Sequence, residues 1–454
     1  MKILIGIIGD FYKYQVFKYT NNGQEIDAKC SLFALMRMLN PDLTLLVVLD
    51  SLVDILNKKY PELKSSNSYI ELKGRLVKVV RQGLLSEKIV TQEELNEFKV
   101  KFLIIPSVGS YGDLRFKGEI TDFYYELYYG TGLKFAGLLA GIKNFEEDAE
   151  IFFDVSLGAN YTNVILYKVL RELAAIFSLS GRRVKLRILN TEPIIPYREN
   201  STSALNEIEA AEFRKSLTFS TRKLKGSELP LKNISKEYVK AKENYKEELN
   251  SRGLDLRLGN RDVSCFLSSV KNGIPLGVYY FFPDISLLSK VARLSYKFYL
   301  KSVKFHRDES LIIERGLKLT PCFKTYVQAI LVAQALSSLG VEKRESVLSS
   351  EIESLSEKLY ERCKVIGDRI KQEISRLNKE IRNYPKARWK VMGEEKSRGN
   401  TVRNFFAHVG IVRNLTEIWV EDEKSKVWKV RFRKTEESIK QIANFLLNAA
   451  DEAE

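Results

Sequence analysis

Apolar residues fall in short continuous runs over the first 190 positions: Lys2 to Ile8, Leu43 to Leu49, Phe102 to Ile105, Ile151 to Val155 and Val184 to Leu189. Several are apolar on successive residues, the pattern of strands covered on both faces. Longer helical or polar stretches separate them, which predicts a parallel, doubly wound α/β sheet of Rossmann-like type. The runs end in small or turn-forming residues. Gly9 and Asp10 follow the first, Pro106 to Gly112 the third, and Ser156 to Asn160 the fourth. Ligands of such sheets bind beyond the carboxyl ends of the strands, so these loops are the expected site.

The texture changes between Asn190 and about Asn260. Pro193 and Pro196 break the pattern, Phe213 to Lys225 reads as a short strand, and Ser235 to Leu249 as a charged helix. From Arg261 onward helices are expected to dominate. Ile352, Leu355, Leu359, Ile366, Ile370, Ile374, Leu377 and Ile381 have the spacing of one long amphipathic helix that stops before Pro385. Such a stripe is a packing face within a bundle or a dimer. Past a polar loop from Gly393, Asn400 is placed to cap a helix from Thr401 to Val412. Leu415 to Val420 and Val427 to Phe432, with Trp419 and Trp428, read as a β-hairpin about the turn at Glu421 to Ser425. Thr435 then caps a last helix to Ala450. The expected division is an α/β domain at 1–190, a small connector at 191–260 and a mainly α-helical domain at 261–454, with 345–395 as a candidate insertion.

At 454 residues the chain exceeds what one core supports. No apolar run approaches the roughly 18 residues of a membrane span. The start, Met1 to Gln15, reads as a buried first strand and not a signal peptide, since aromatic and charged residues stand where a cleavage site belongs. Cys30, Cys265, Cys322 and Cys363 are scattered, with no CxxC pair, which argues against a zinc site or disulfide framework and suits a reducing cytoplasm. The net charge of +15 favours polyanions, nucleic acid first. A solvated Lys/Glu-rich surface of the high-temperature kind gives the same balance.

Only two histidines occur. One closes the hexapeptide Arg403-Asn404-Phe405-Phe406-Ala407-His408. Proton transfer near neutral pH therefore has few places to go, because histidine alone has an unperturbed pKa in that window. RNA carries its own nucleophile, the 2′-hydroxyl. A ribonuclease works without metal if it polarises that hydroxyl, neutralises the phosphorus centre and protonates the leaving oxygen. The planar fork of Arg403 suits the phosphate, His408 suits proton transfer, and Asn404 can orient phosphate or ribose. Two copies about a twofold axis would supply the groups in pairs. The residues alone leave a second reading open, a packed helix with an incidental Arg and His. His306 has no such companion and reads as a surface or helix-end residue.

In the amino-terminal loops, Gly158 allows close backbone approach, and Ser156 and Asn160 offer uncharged donors. Free amides at the start of a helix running to about Phe177 suit an anion such as a phosphodiester. Phe11, Tyr12, Tyr111 and Tyr161 are candidates to pack on bases. A plain strand-to-helix turn explains Ser156 to Asn160 equally well. No GxGxxG follows the first strand and no GxxxxGK[ST] occurs, so the usual dinucleotide and P-loop signatures are missing.

The D-x-S-x-G-x-N stretch at Asp154 to Asn160, on a doubly wound domain, resembles the CARF domain of CRISPR-associated proteins. The Arg403-Asn404-x-x-x-His408 helix resembles the signature of HEPN ribonucleases. Their order over the whole chain is similar to the ancillary ribonucleases of type III CRISPR systems. The resemblance implies an enzyme, a homodimer or higher oligomer, that is activated by a cyclic oligoadenylate, most often cyclic tetra-adenylate, across the CARF dimer axis. It implies cleavage of single-stranded RNA at paired HEPN domains with no metal cofactor. Carried over, Arg403, Asn404 and His408 match the catalytic set. Asp10 and Phe11 match the first ligand loop, and Ser156, Gly158, Asn160 and Tyr161 the second. Ser107, Gly109, Ser110 and Tyr111 are assigned by position. The connector would match a linker that is winged-helix-like in some relatives. Two other functions remain: a CARF-type, DNA-binding transcription regulator with no chemistry, and an unrelated nucleotide-dependent enzyme needing a metal or dissociable cofactor.

Overall fold

The computed structural model describes residues 1–141, 148–158, 160–192, 202–254, 256–307, 311–393, 402–422 and 426–450. The expected Pro193 and Pro196 breaks, the cap at Asn400 with the helix start at Thr401, and the turn residues Glu423 to Ser425 lie outside the described residues. The amino-terminal strands in chain order are β1 (Lys2–Ile8), β2 (Phe17–Asn21), β3 (Gln24–Ala28), β4 (Leu43–Leu49), β5 (Lys101–Ile105), β6 (Gly109–Tyr111), β7 (Leu114–Lys117), β8 (Ala149–Asp154), β9 (Arg183–Thr191) and β10 (Thr202–Arg214). Eight of them form one sheet in the order β3-β2-β10-β9-β8-β1-β4-β5. The five from β9 to β5 run parallel.

Successive residues of β1 feed two different cores. Ile3, Ile5 and Ile7 pack with the helices Ile120–Gly141 and Asn160–Ser178. Leu4 and Ile8 pack with Ser31–Leu39 and Tyr69–Ser86. A strand buried on both faces has no polar position to spare, which is why the run reads apolar throughout. The neighbouring order β8-β1-β4-β5 brings the carboxyl ends of four parallel strands side by side, so their loops share one edge.

The sheet also reaches into the expected connector. β10 pairs antiparallel with β9, and the hairpin of β2 and β3 closes that edge. The strand expected at Phe213 to Lys225 instead ends at Arg214, where Lys215 takes φ +48 and turns the chain out of the sheet.

The region after Arg261 is not helical alone. After β11 (Leu231–Asn233) come β12 (Val303–Arg307), β13 (Leu311–Arg315) and β14 (Leu317–Leu319). β13 pairs parallel with β7, giving a second sheet β12-β13-β7-β6 that ties an amino-terminal loop to the second half of the chain. The helix Pro321–Ser337 is buried on nearly every side and joins the two halves in one core.

The single long helix expected over 352–381 is two, Ser349–Tyr360 and Lys364–Glu380. Both face the same core, so the apolar stripe carries across the break. Gly367 permits the close approach; a Cβ there would lie 3.2 Å from the Tyr360 carbonyl oxygen. The hairpin forms as expected, as β17 (Thr416–Asp422) and β18 (Val427–Phe432), once β15 (Ser346–Leu348) and β16 (Lys390–Val391) are counted. These four make a sheet β15-β18-β17-β16. Thr435 caps the last helix, Glu436–Asn448, its hydroxyl accepting from Ser438 N–H at 3.3 Å. All four cysteines are unpaired, and no described helix is long and apolar enough to cross a membrane.

Candidate active site

The helix bearing the Arg/His pair spans Val402–Ala407 and is shorter than the sequence pattern predicts. Phe405 anchors it. The ring is fully buried, 5.3 Å from the Phe445 ring and at right angles to Phe406. Burial of such a ring contributes about 2–3 kcal/mol. With Phe405 facing inward, Arg403, Asn404 and His408 face solvent. The helix stops because Val409 and Gly410 take left-handed φ values of +46 and +81. Gly410 N–H then closes on the Phe405 carbonyl at 2.8 Å. A Cβ on Gly410 would sit 2.6 Å from Ile274, so glycine is required there.

His408 does not hang free. Its Nδ1 lies 3.2 Å from Oε2 of Glu373, on the helix Lys364–Glu380. The Glu373 side chain is 7% exposed against 46% for the imidazole. Donation from Nδ1–H to the carboxylate leaves Nε2 of the neutral ring as the proton acceptor. The other oxygen of Glu373 accepts from Arg376 Nε at 3.0 Å. Arg376 reaches Glu380 at 3.4 Å, and Glu380 also accepts from Arg413 at 3.2 Å. A line of alternating charges thus backs the imidazole. Arg403 is exposed and has no ion-pair partner among the described residues, so its guanidinium is available to an anion.

Glu373 was not among the sequence candidates. The signal was present: it interrupts the apolar stripe of Ile370, Ile374 and Leu377, where a carboxylate needs a reason to be buried. Glu373→Gln should lower kcat for RNA cleavage by roughly tenfold or more while KM holds, because the amide no longer fixes the imidazole tautomer. An unchanged kcat across the pH profile would show that Glu373 only packs.

At the other end, the sheet edge gathers most of the expected ligand residues. Asp10 accepts from Tyr12 N–H at 3.3 Å and pairs with Lys13 at 3.3 Å. Gly109, at φ +117, and Ser110 are exposed. Tyr111 is half-buried, its ring edge-on to Phe116 at 5.8 Å. Gly158, at φ +100, is exposed and lies against Ile7. Tyr161 packs edge-on to Phe123. Asn160 opens the helix Asn160–Ser178, while its side chain lies outside the described residues.

Three of the expected ligand residues have other work. Phe11 is 1% exposed and packs on Gly83, so it is a core residue and does not face a base. Ser107 is fully buried; its N–H donates to Asp50 Oδ1 at 2.6 Å and its hydroxyl to Ser51 at 2.9 Å. The Ser156 hydroxyl donates to Asp154 Oδ1 at 2.5 Å and accepts from Thr191 N–H at 2.9 Å. Asp154 is itself buried, which pushes its carboxyl above the usual range, while bonds from Ser156 and Ser31 pull it back. His306 is a half-exposed strand residue on β12, 3.6 Å from Glu314.

Among the described residues no three His, Cys, Asp or Glu side chains are grouped to hold a metal ion. The doubly wound sheet, followed by the Arg/His helix, has the layout of a nuclease with a separate α/β domain. Family models bear this out: residues 3–193 match the CARF domain, and residues 342–434 the HEPN domain, of the CRISPR system endoribonuclease Csx1. The chain belongs to this CARF–HEPN family of CRISPR endoribonucleases. It is 25% identical over 450 residues to the CRISPR system endoribonuclease Csx1 of Methanocaldococcus jannaschii, covering 94% of this chain and 89% of that relative. Arg403, His408 and Glu373 all lie inside the HEPN match, which also runs across 345–395.

Proposed function

We propose that this endoribonuclease is activated by a cyclic oligoadenylate and cleaves single-stranded RNA without a metal ion, in the cytoplasm, as part of type III CRISPR antiviral defence. The observation that carries the reading is the Glu373-held imidazole of His408, five positions along the chain from the exposed Arg403. The 2′-oxygen forms a bond to phosphorus as the bond to the 5′-oxygen breaks. His408 Nε2 handles the proton that leaves the hydroxyl or the one the leaving oxygen gains. Arg403 takes up the charge that grows on the phosphate oxygens, and Asn404 orients the phosphate or ribose. One chain carries one of each, and a homodimer sets two such helices about a twofold axis, with higher oligomers built from dimers.

Cyclic tetra-adenylate is the proposed activator. Asp10, Gly109, Ser110, Tyr111, Gly158, Asn160 and Tyr161 form its mouth, and Phe11, Ser107 and Ser156 support it. A ligand activates only by binding the active state more tightly than the inactive one. The pairing of β7 with β13 is the support for a route from that mouth to the rest of the chain.

The test is cleavage of a fluorescent single-stranded RNA in EDTA, with and without cyclic tetra-adenylate. Strong stimulation in EDTA is expected. Activity that appears only with added divalent metal would remove the metal-independent mechanism. Cleavage that no cyclic oligoadenylate stimulates would leave the activator reading without support, and no cleavage under any of them would favour a DNA-binding regulator.

A further inference from the structure

The sheet β15-β18-β17-β16 has one face in the core and one outside. Ile418, Val420, Trp428, Val430 and Phe432 are buried, and the residues between them are not. On the outer face of such a sheet charged residues are expected. Two tryptophans stand there instead. β16 pairs with β17 so that Lys390 faces Ile418, which places Trp389 opposite Trp419. Their ring centroids are 5.8 Å apart, tilted by 55°. Arg431 lies over the Trp389 ring at 4.0 Å and is held there by Glu417 at 2.7 Å.

We infer that this outer face is a binding track for single-stranded RNA, in which Trp389 and Trp419 stack bases next to the cleavage site. The inference rests on RNA being the substrate. Aromatic rings on a sheet surface are the usual platform for unpaired bases, with nearby cations for the phosphates. The charge fits. Residues 382–391 hold Arg382, Lys386, Arg388 and Lys390 and no carboxylate. Arg388 and Lys390 are exposed at the edge strand, where Lys390, opposite Ile418, lies on the other side of the strand from Trp389. Glu417 and Glu421 on β17 are already paired with Arg431 and Lys429.

The position fits as well. The helix bearing Arg403 and His408 lies in the connection between β16 and β17, two neighbouring strands, so it leaves and re-enters the sheet at the same end. Met392 N–H meets the Thr416 carbonyl there at 3.1 Å. Trp419 lies three residues along β17 from Thr416, about 10 Å at roughly 3.3 Å per residue. Arg413, beside that end, extends the cationic line back toward Glu373 and His408. Here the two indoles stand among charged groups.

The protein has three tryptophans and the third, Trp428, is fully buried. The part of the intrinsic tryptophan fluorescence that a stacked base can quench therefore comes from this face. A 2′-O-methyl oligoribonucleotide, which lacks the nucleophile, serves as probe with cyclic tetra-adenylate present. Quenching is expected in the natural chain and should vanish in W389F/W419F, which keeps the packing. W389A/W419A should raise KM on the order of tenfold per ring with kcat held. R388A/K390A, both exposed, should weaken binding and lower its salt dependence. Quenching that survives in W389F/W419F, or an unchanged KM in W389A/W419A while RNA is still cleaved, overturns the track alone. The same holds if the alanine variant changes only the size of the assembly, which would make the face a subunit contact. A natural chain that neither cleaves nor binds RNA overturns the nuclease reading and this one together.

Discussion

His408→Ala should lower the rate of RNA cleavage by about 10³-fold while RNA binding, read with the 2′-O-methyl oligonucleotide, stays as it is. The size of the effect follows from scarcity. The chain has only two histidines, so no other imidazole near the helix takes over the proton. His306 lies on a different sheet beside Glu314, and His306→Ala is the matched control with an expected rate unchanged. In the proposed mechanism His408 carries a proton and does not bind: one ring nitrogen meets a buried carboxylate and the other faces away from it. Arg403→Ala should cost a comparable factor, and Arg403→Lys should recover part of it, since the ammonium keeps the charge but not the two-pronged contact. A His408→Ala chain that cleaves at the natural rate would remove the imidazole from the mechanism and leave the helix as a packing element. The effect must also survive in EDTA, so that a contaminating metal nuclease is not what is being measured.

The strands of the amino-terminal sheet were legible because burial on both faces leaves an unbroken apolar run. Lys2 to Ile8 and Leu43 to Leu49 are each such a run, and both are strands with those bounds. The elements that were missed lack that property. β2 and β3, at the sheet edge, have mixed exposure and read as polar texture. β10 interleaves glutamates on its open face. β12 to β14 are short and set among helices, and nothing local marks the pairing of β13 with β7, which is a contact across some two hundred positions. The helix over 352–381 was drawn as one because a stripe facing a single core does not register a three-residue turn. At the candidate site, the Arg/His hexapeptide was readable as a motif because its spacing is local. Glu373 was not, because its value lies in a contact with His408, and only folding brings 373 and 408 together. Phe11 was misplaced for a related reason. An aromatic after a strand end is equally suited to a ligand or to the core, and here Gly83 leaves it a slot in the core.

Arg315→Met should destabilise the chain by about 3–5 kcal/mol, the cost of leaving a buried charge without its partner. Arg315, on β13, and Asp50, at the end of β4, form an ion pair at 2.8 Å with both side chains fully buried. Burial drives the Asp50 carboxyl above its usual range; Arg315 and bonds from Tyr69 and Ser107 pull it back toward ionisation. Arg315 also donates to the Ser107 carbonyl at 3.1 Å. One guanidinium thus clamps two strand-end loops of the amino-terminal domain to a strand from the second half of the chain. The double variant D50L/R315M replaces both charges by apolar groups and should regain most of the lost stability. It should not regain activation. The Ser107 loop would then have lost its polar tie to β13, and cyclic tetra-adenylate should stimulate cleavage little, while unstimulated cleavage stays near the natural level. Thermal unfolding and the ratio of cleavage rates with and without the ligand separate the two effects. An R315M chain that melts with the natural protein would show that water or a shifted side chain replaces the guanidinium. A folded double variant that is still fully stimulated would move the coupling elsewhere, to the backbone pairing of β7 with β13, which neither substitution touches.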